Sequence, residues 1–181
     1  MAAENYRKLY DGWRADPEAF WLKAAEAIDW ITPPTRALND TRAPLYEWFT
    51  DAEVNTCWNA VDRHVEAGRG DQVAILHDSP MTGTVRKITY RELRDRVALL
   101  AGALRAKGVQ KGDRVIIYMP MVPEALEAML ACARLGAIHS VVFGGFAANE
   151  LAVRIDDCQP RAIIAASCGL EPGRVVHYKP L

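Results

Sequence analysis

Apolar positions change their rhythm along this chain. Residues 1–52 are rich in aromatics and prolines but poor in period: Trp13, Trp21, Trp30 and Trp48 alternate with Pro33, Pro34 and Pro44. Asp16-Pro17 reads as a helix N-cap followed by proline at the first helical position. Phe20, Ala24 and Ala27-Ile28 mark one face of the short helix that follows. Beyond Pro33-Pro34 the chain is expected to be extended and irregular. So little periodic apolar sequence does not make a domain, and residues 1–52 are expected to wrap the main domain with their aromatics as anchors.

The period then becomes helical. Thr50-x-x-Glu53 resembles a capping box, and Val54, Cys57, Trp58, Val61 and Val65 follow at helical spacing. Gly68-Arg69-Gly70-Asp71 is expected to end that helix. It contains an Arg-Gly-Asp tripeptide, which reads here as a turn. Val73–His77 and Val85–Ile88 read as a hairpin joined through Pro80–Gly83. Thr89 and Glu92 form a second capping box, opening a helix with the stripe Leu93, Val97, Leu100, Ala101, Leu104 and closed by Gly108.

From Asp113 strand and helix alternate. Val115–Tyr118 reads as a strand, and Pro123 opens a helix whose expected inner face is Leu126, Met129, Leu130 and Ala133. Ile138–Phe143 reads as a buried parallel strand. His139 within it is expected to be a hydrogen-bonded core imidazole, and His64 lies near a helix end. Ala148, Leu151, Ala152 and Ile155 form the next helix face, and Arg161–Ala165 the third strand. This βαβαβ order with short links predicts an α/β fold with a parallel sheet and right-handed crossovers. It also predicts a tight turn at Gly144-Gly145, where φ > 0 and close approach of a ligand are possible. Ligands of such sheets sit outside the carboxyl ends of the strands.

Of the 181 residues, 50% are hydrophobic and 25% charged, which suits a globular protein. The net charge of -1 provides no field for nucleic acid or an anionic membrane. No apolar run is long enough to cross a bilayer, and the N-terminus lacks a secretory or transit pattern, so cytoplasm is the expected compartment. Cys57, Cys132, Cys158 and Cys168 form no C-x-x-C, and no histidine pair has metal spacing, so no metal site is expected. Cys57 and Cys132 read as small buried hydrophobes. G-x-x-x-x-G-K-[ST], G-x-G-x-x-G after a strand and G-x-S-x-G are all absent. Their absence argues against a P-loop enzyme, a dinucleotide-binding dehydrogenase and an α/β-hydrolase.

The stretch from Lys111-Gly112-Asp113-Arg114 through Met119-Pro120-Met121-Val122-Pro123-Glu124-Ala125 and Leu135-Gly136-Ala137 to Phe143-Gly144-Gly145-Phe146 closely resembles the short-chain acyl-CoA synthetases. These form the acetyl- and propionyl-CoA synthetase branch of the adenylate-forming enzymes. The Trp-rich N-terminal segment, Trp58–His64 and Ile88–Leu93 resemble that branch more loosely. Asp78-Ser79-Pro80 and Ala166–Pro172 look more like the propionyl members. The resemblance implies an acid–thiol ligase using ATP with Mg²⁺ and coenzyme A: a carboxylate, propionate or alternatively acetate, becomes an acyl-adenylate, and the coenzyme A thiol displaces AMP. It implies that residues 53–181 are an incomplete AMP-binding (adenylation) domain continuing beyond the chain, so that this piece alone is inactive and has no catalytic residue. It implies a coenzyme A contact at Phe143, Gly144 and Gly145, and a coenzyme A phosphate contact at Arg174. Glu171 stands where acetyl members have another arginine, and a carboxylate cannot pair with a phosphate. Readings of another class are a non-catalytic module for coenzyme A or a nucleotide, and a structural interaction domain. The acyl substrate and the oligomeric state are not legible in these residues.

Overall fold

A computed structural model describes residues 2–144 and 148–178 of the chain, which divides between Asn55 and Thr56 into two units. The first unit opens with helix α1 (Ala2–Ala15). No helix was expected there, because aliphatic residues are scarce. Tyr6, Tyr10 and Trp13 nevertheless lie one turn apart, with ring centroids 6.1 and 5.6 Å from one to the next. Helix α2 (Pro17–Ala25) starts as anticipated: Ala19 N–H donates to the Asp16 carboxylate at 2.9 Å, and Pro17 takes the first turn.

The rest of the first unit is made of very short strands. β1 (Trp30–Thr32) pairs antiparallel with β4 (Glu53–Val54), and β2 (Leu38–Asn39) with β3 (Glu47–Trp48). Tryptophans hold them. The Trp30 indole N–H donates to the Ala25 carbonyl at 2.7 Å, and Trp21 meets Trp48 edge-on at 5.4 Å. The Thr50–Glu53 capping box is not formed, because the Glu53 backbone is paired with Thr32 in the β1–β4 ladder.

The second unit begins with a helical run over residues 56–69. Its turns are π-type at Trp58–Asp62 and Val65–Arg69. Wider turns bring every fourth residue inward, so Cys57, Val61 and Val65 are buried while Trp58, expected beside them, is exposed. Gly68 ends the run at φ +80°. β5 (Val73–Ser79) and β6 (Thr84–Thr89) form the expected hairpin. The second capping box is complete: Glu92 N–H donates to Thr89 Oγ1 at 3.2 Å, and Thr89 N–H donates to the Glu92 carboxylate at 2.8 Å. It opens α3 (Tyr90–Ala106), which buries Leu93, Val97, Ala101 and Leu104.

β7 (Arg114–Met119), α4 (Pro123–Leu135), β8 (Ile138–Phe143), α5 (Ala148–Cys158) and β9 (Ala162–Ala165) complete the alternation. The three strands are parallel in the order β8-β7-β9. β7 is therefore central, and Val115 to Tyr118 are all buried. Among the described residues β8 is an edge, which corrects its reading as a buried strand. Ile138 and Val141 are exposed, and so is His139, which is not a core imidazole. The inner face of α4 is corrected in part, since Leu130 and Ala133 pack on the core as expected. Ala128, Ala131 and Cys132 are fully buried, whereas Leu126 is exposed, so small side chains let α4 lie close against its neighbours.

One core joins Cys57, Val61, Ile88, Leu93, Val97, Val115 and Cys132. A second lies under the carboxyl half of the sheet, where Ile116, Tyr118 and Val142 pack with Tyr178. Tyr178 follows a hairpin of β10 (Cys168–Glu171) and β11 (Arg174–His177), which turns through Gly173 at φ +74°.

Candidate functional site

The carboxyl ends of β7 and β8 form the candidate site. Parallel register sets Met119 beside Phe143 at that edge. Phe143 closes β8, and Gly144 follows at once and is buried. Gly145 and the side chain of Phe143 lie outside what is described.

Gly144 is not in the left-handed region, which belongs instead to Gly68, Gly83, Gly108, Gly112, Gly136 and Gly173. What Gly144 requires is space. A Cβ built on it would lie 2.5 Å from the Tyr178 hydroxyl oxygen and 2.8 Å from the adjoining ring carbon, well inside van der Waals contact. Close approach was expected from a ligand, and the group found there is a side chain of the same chain. A Cβ on Gly169, in β10, would also meet the Tyr178 hydroxyl. Tyr178 thus stands between two backbone segments that both lack a side chain.

The Tyr178 ring is 7% exposed and packs on Tyr118 with centroids 4.9 Å apart. Burial pushes the Tyr178 phenol upward, with the neighbouring Tyr118 and Glu171 adding to the shift. Tyr178 N–H donates to the Ser167 carbonyl at 3.0 Å, closing the base of the hairpin. Neither Tyr178 nor Gly169 emerged from the sequence as a site residue. Nothing in their spacing links them to Gly144, since the link runs through the hairpin fold.

Arg174 sits at the far end of that hairpin, directly across from Glu171. Its Nε donates to the Glu171 carboxylate at 2.7 Å and its Nη2 at 2.5 Å, with the guanidinium largely exposed. Glu171 is therefore the counter-ion of Arg174. An exposed pair of this kind is worth little and opens readily, so an incoming polyanion can compete for the guanidinium.

The opposite end of the sheet is different in character. A cleft of about 530 Å³ there is lined by Arg105, Lys111 and Arg134 around Gly108 and Val109. Arg105 and Arg134 lie in the last turns of α3 and α4, where cations complement the helix carbonyls. Arg134 Nη2 also donates to both Asp62 oxygens, at 2.8 and 2.7 Å. His64 likewise serves structure: its ring packs tilted against Tyr90 at 5.0 Å, and its Nδ1 lies 3.2 Å from Arg69 Nη1. Among the described residues no three His, Cys, Asp or Glu side chains gather to hold a metal ion, and no helix is long and apolar enough to cross a membrane.

Comparison with known proteins gives two family matches that together cover nearly the whole chain. Residues 61–178 match the family described as AMP-binding enzyme, and residues 6–60 match the acetyl-coenzyme A synthetase N-terminus. Acyl-CoA synthetase short-chain family member 3, mitochondrial, of Bos taurus is 55% identical over 177 residues, covering 98% of this chain and 26% of the relative. The Homo sapiens protein of the same name is 50% identical over 180 residues, covering 99% of this chain and 26% of its own length. Acetyl-coenzyme A synthetase of Xanthobacter autotrophicus is 51% identical over 178 residues, covering 97% of this chain and 27% of its own length. The chain thus spans about a quarter of the length of the curated relatives it matches.

Proposed function

The chain belongs to the AMP-binding enzyme family, and from that premise we propose that it forms the N-terminal part of an ATP-dependent short-chain acyl-CoA synthetase. The observation that carries this reading is the similarity to such a synthetase, 55% identical over 98% of the chain. In the proposed reaction, a carboxylate oxygen attacks the α-phosphorus of ATP and pyrophosphate leaves. The mixed anhydride so formed turns a poor oxide leaving group into a stabilised phosphate. The coenzyme A thiol then attacks the acyl carbon, forming the thioester and releasing AMP. Propionate is the proposed acid, on the Asp78-Ser79-Pro80 and Ala166–Pro172 stretches.

This chain's part lies in the second step. The edge formed by Phe143, Gly144 and Gly145 is proposed to border the coenzyme A channel. Arg174 is proposed to leave Glu171 for a coenzyme A phosphate. Residues 53–181 supply the first parallel strands of the adenylation domain, and ATP, with its Mg²⁺, is proposed to bind on residues beyond position 181.

The test separates the half-reactions in the full-length enzyme. Pyrophosphate exchange with propionate reads adenylation, and thioester yield reads the second step. Gly145→Val puts a branched side chain into the proposed channel and is expected to depress thioester formation far more than exchange. Equal loss in both would reduce Gly145 to a turn residue, and absence of exchange with either propionate or acetate would overturn the reading as a whole.

A further inference from the structure

We propose that Tyr178 is a positioning residue that sets the Arg174 hairpin against the end of β8. The inference rests on the reading of Gly144 and Arg174 as parts of a coenzyme A site. The β10–β11 hairpin carries Arg174 at its tip, and its own ladder runs only between its two strands among the described residues. A two-stranded hairpin is not stable by itself in water, so its orientation comes from what its base rests on. At that base Tyr178 joins Ile116, Tyr118 and Val142 in the core, with Val176 packed beside it and Ala166 N–H donating to the Tyr118 carbonyl at 3.1 Å.

Three contacts fix the tyrosine. Its ring lies on Tyr118, which is 1% exposed in the central strand β7. Its backbone N–H closes on Ser167, just before β10. Its hydroxyl end fills the space left by two missing side chains, one at Gly144 after β8 and one at Gly169 in β10. The same phenol thus touches the turn proposed to border the coenzyme A channel and the strand that leads to Arg174. Moving it shifts Arg174, which is paired with Glu171 in the same hairpin, relative to Gly144.

Coenzyme A spans both places if the site is as proposed, with its phosphates at Arg174 and its chain past the β8 edge. Tyr178 therefore governs affinity for coenzyme A and leaves the ATP and carboxylate steps alone. Misplacing a binding group by about 1 Å can cost up to a hundredfold, and a change confined to binding shows as KM with kcat kept.

The experiment uses the full-length enzyme with Tyr178→Ala, Tyr178→Phe, Gly169→Ala and the Tyr178→Ala/Gly169→Ala double variant. Tyr178→Ala is expected to raise the KM for coenzyme A about tenfold or more and leave pyrophosphate exchange within about twofold. Tyr178→Phe keeps the ring and is expected to stay near the parent. Gly169→Ala displaces the phenol and is expected to mimic Tyr178→Ala. The double variant is expected to be no worse than Tyr178→Ala, because the added methyl then meets empty space. Additive losses in the double variant would overturn the proposal, as would parallel loss of both half-reactions or an unchanged KM for coenzyme A in Tyr178→Ala. If the full-length protein makes no thioester, the same four variants are compared by melting temperature. Non-additivity there keeps the seating of Tyr178 on Gly169, and only the enzymatic reading fails.

Discussion

Replacing Arg134 with methionine tests the energetics of the second unit. Arg134, in the last turn of α4, donates from one nitrogen to both oxygens of Asp62 in the first π-type turn. The side chains are 26% and 12% exposed. Burial works against the guanidinium's charge, but its bonds to Asp62, together with the Cys57 sulfur, more than offset this and raise its pKa above the ordinary value. Unit charges about 4 Å apart attract by about 4 kcal/mol at the dielectric typical near a protein surface, and desolvation of both groups offsets much of that. The net worth of the pair is therefore small. The cost of removing one partner is large, because the Asp62 carboxylate would lose both bonds from Arg134 and be left with the weak Cys57 thiol donor at 3.8 Å. Breaking a buried pair costs 3–5 kcal/mol, and partial exposure favours the low end, about 3 kcal/mol.

Hydrogen exchange is the assay, since it reads local opening. A loss of about 3 kcal/mol speeds exchange by about a hundredfold or more, and the acceleration is expected in peptides from residues 57–69 and 123–135. Asp62→Leu/Arg134→Met removes both charges and fills the site with carbon. It is expected to recover most of the loss, leaving about 1 kcal/mol or less. Exchange in Arg134→Met equal to that of the parent, or a double variant as labile as the single one, would refute the reasoning.

Burial pushes the Cys132 thiol to about 11 and the Cys57 thiol up as well, so iodoacetamide at mildly alkaline pH is expected to label Cys158 and Cys168 first, as read by peptide mass spectrometry. The N–H bond from Thr89 holds the Glu92 carboxyl below its usual value of 4.5. The cap interaction is therefore present above that pH and is lost as pH falls through the depressed folded value, which the Thr89 amide shift in an acid titration will show. Thr89→Ala, which removes the other half of the box by deleting the acceptor of the Glu92 N–H, is expected to cost about 1 kcal/mol. Gly136→Ala places a Cβ at φ +70° and 3.0 Å from Lys111 Cγ, so a loss of about 1–2 kcal/mol is expected. Gly102→Ala, inside α3 with nothing within 4 Å, is expected to stabilise by about 0.5–1 kcal/mol; a melting series ranks the two.

What the sequence disclosed follows from how local each determinant is. The Asp16 cap, the Thr89–Glu92 box, the β5–β6 hairpin and the βαβαβ alternation are written within a few residues of one another, and all are present. Strand order is not local. His139 was misread because nothing in Ile138–Phe143 says that β8 is an edge and β7 the centre. Helix phase slipped twice: π-type turns left Trp58 exposed, and α4 buries Ala128, Ala131 and Cys132 most deeply, with Leu130 and Ala133 packed beside them and Leu126 exposed. In the candidate site, Gly144 stood out as a residue without a side chain. The reason lies in Tyr178, which a hairpin brings back from 34 positions along the chain (178 minus 144).

The central place of β7 has a consequence for synthesis on the ribosome. Val115 emerges before either of its strand neighbours, since His139 follows only after α4 and Ala162 only after α5. During that interval the most deeply buried strand of the unit has two bare edges, the condition under which nascent chains pair with one another. The helix α3 has already been made, and its Leu93, Val97 and Ala101 share a core with Val115. One face of the strand can thus be covered from upstream while both edges wait. A pause in translation between residues 119 and 138 would lengthen that wait, and codon choice across α4 becomes a lever on the yield of folded protein.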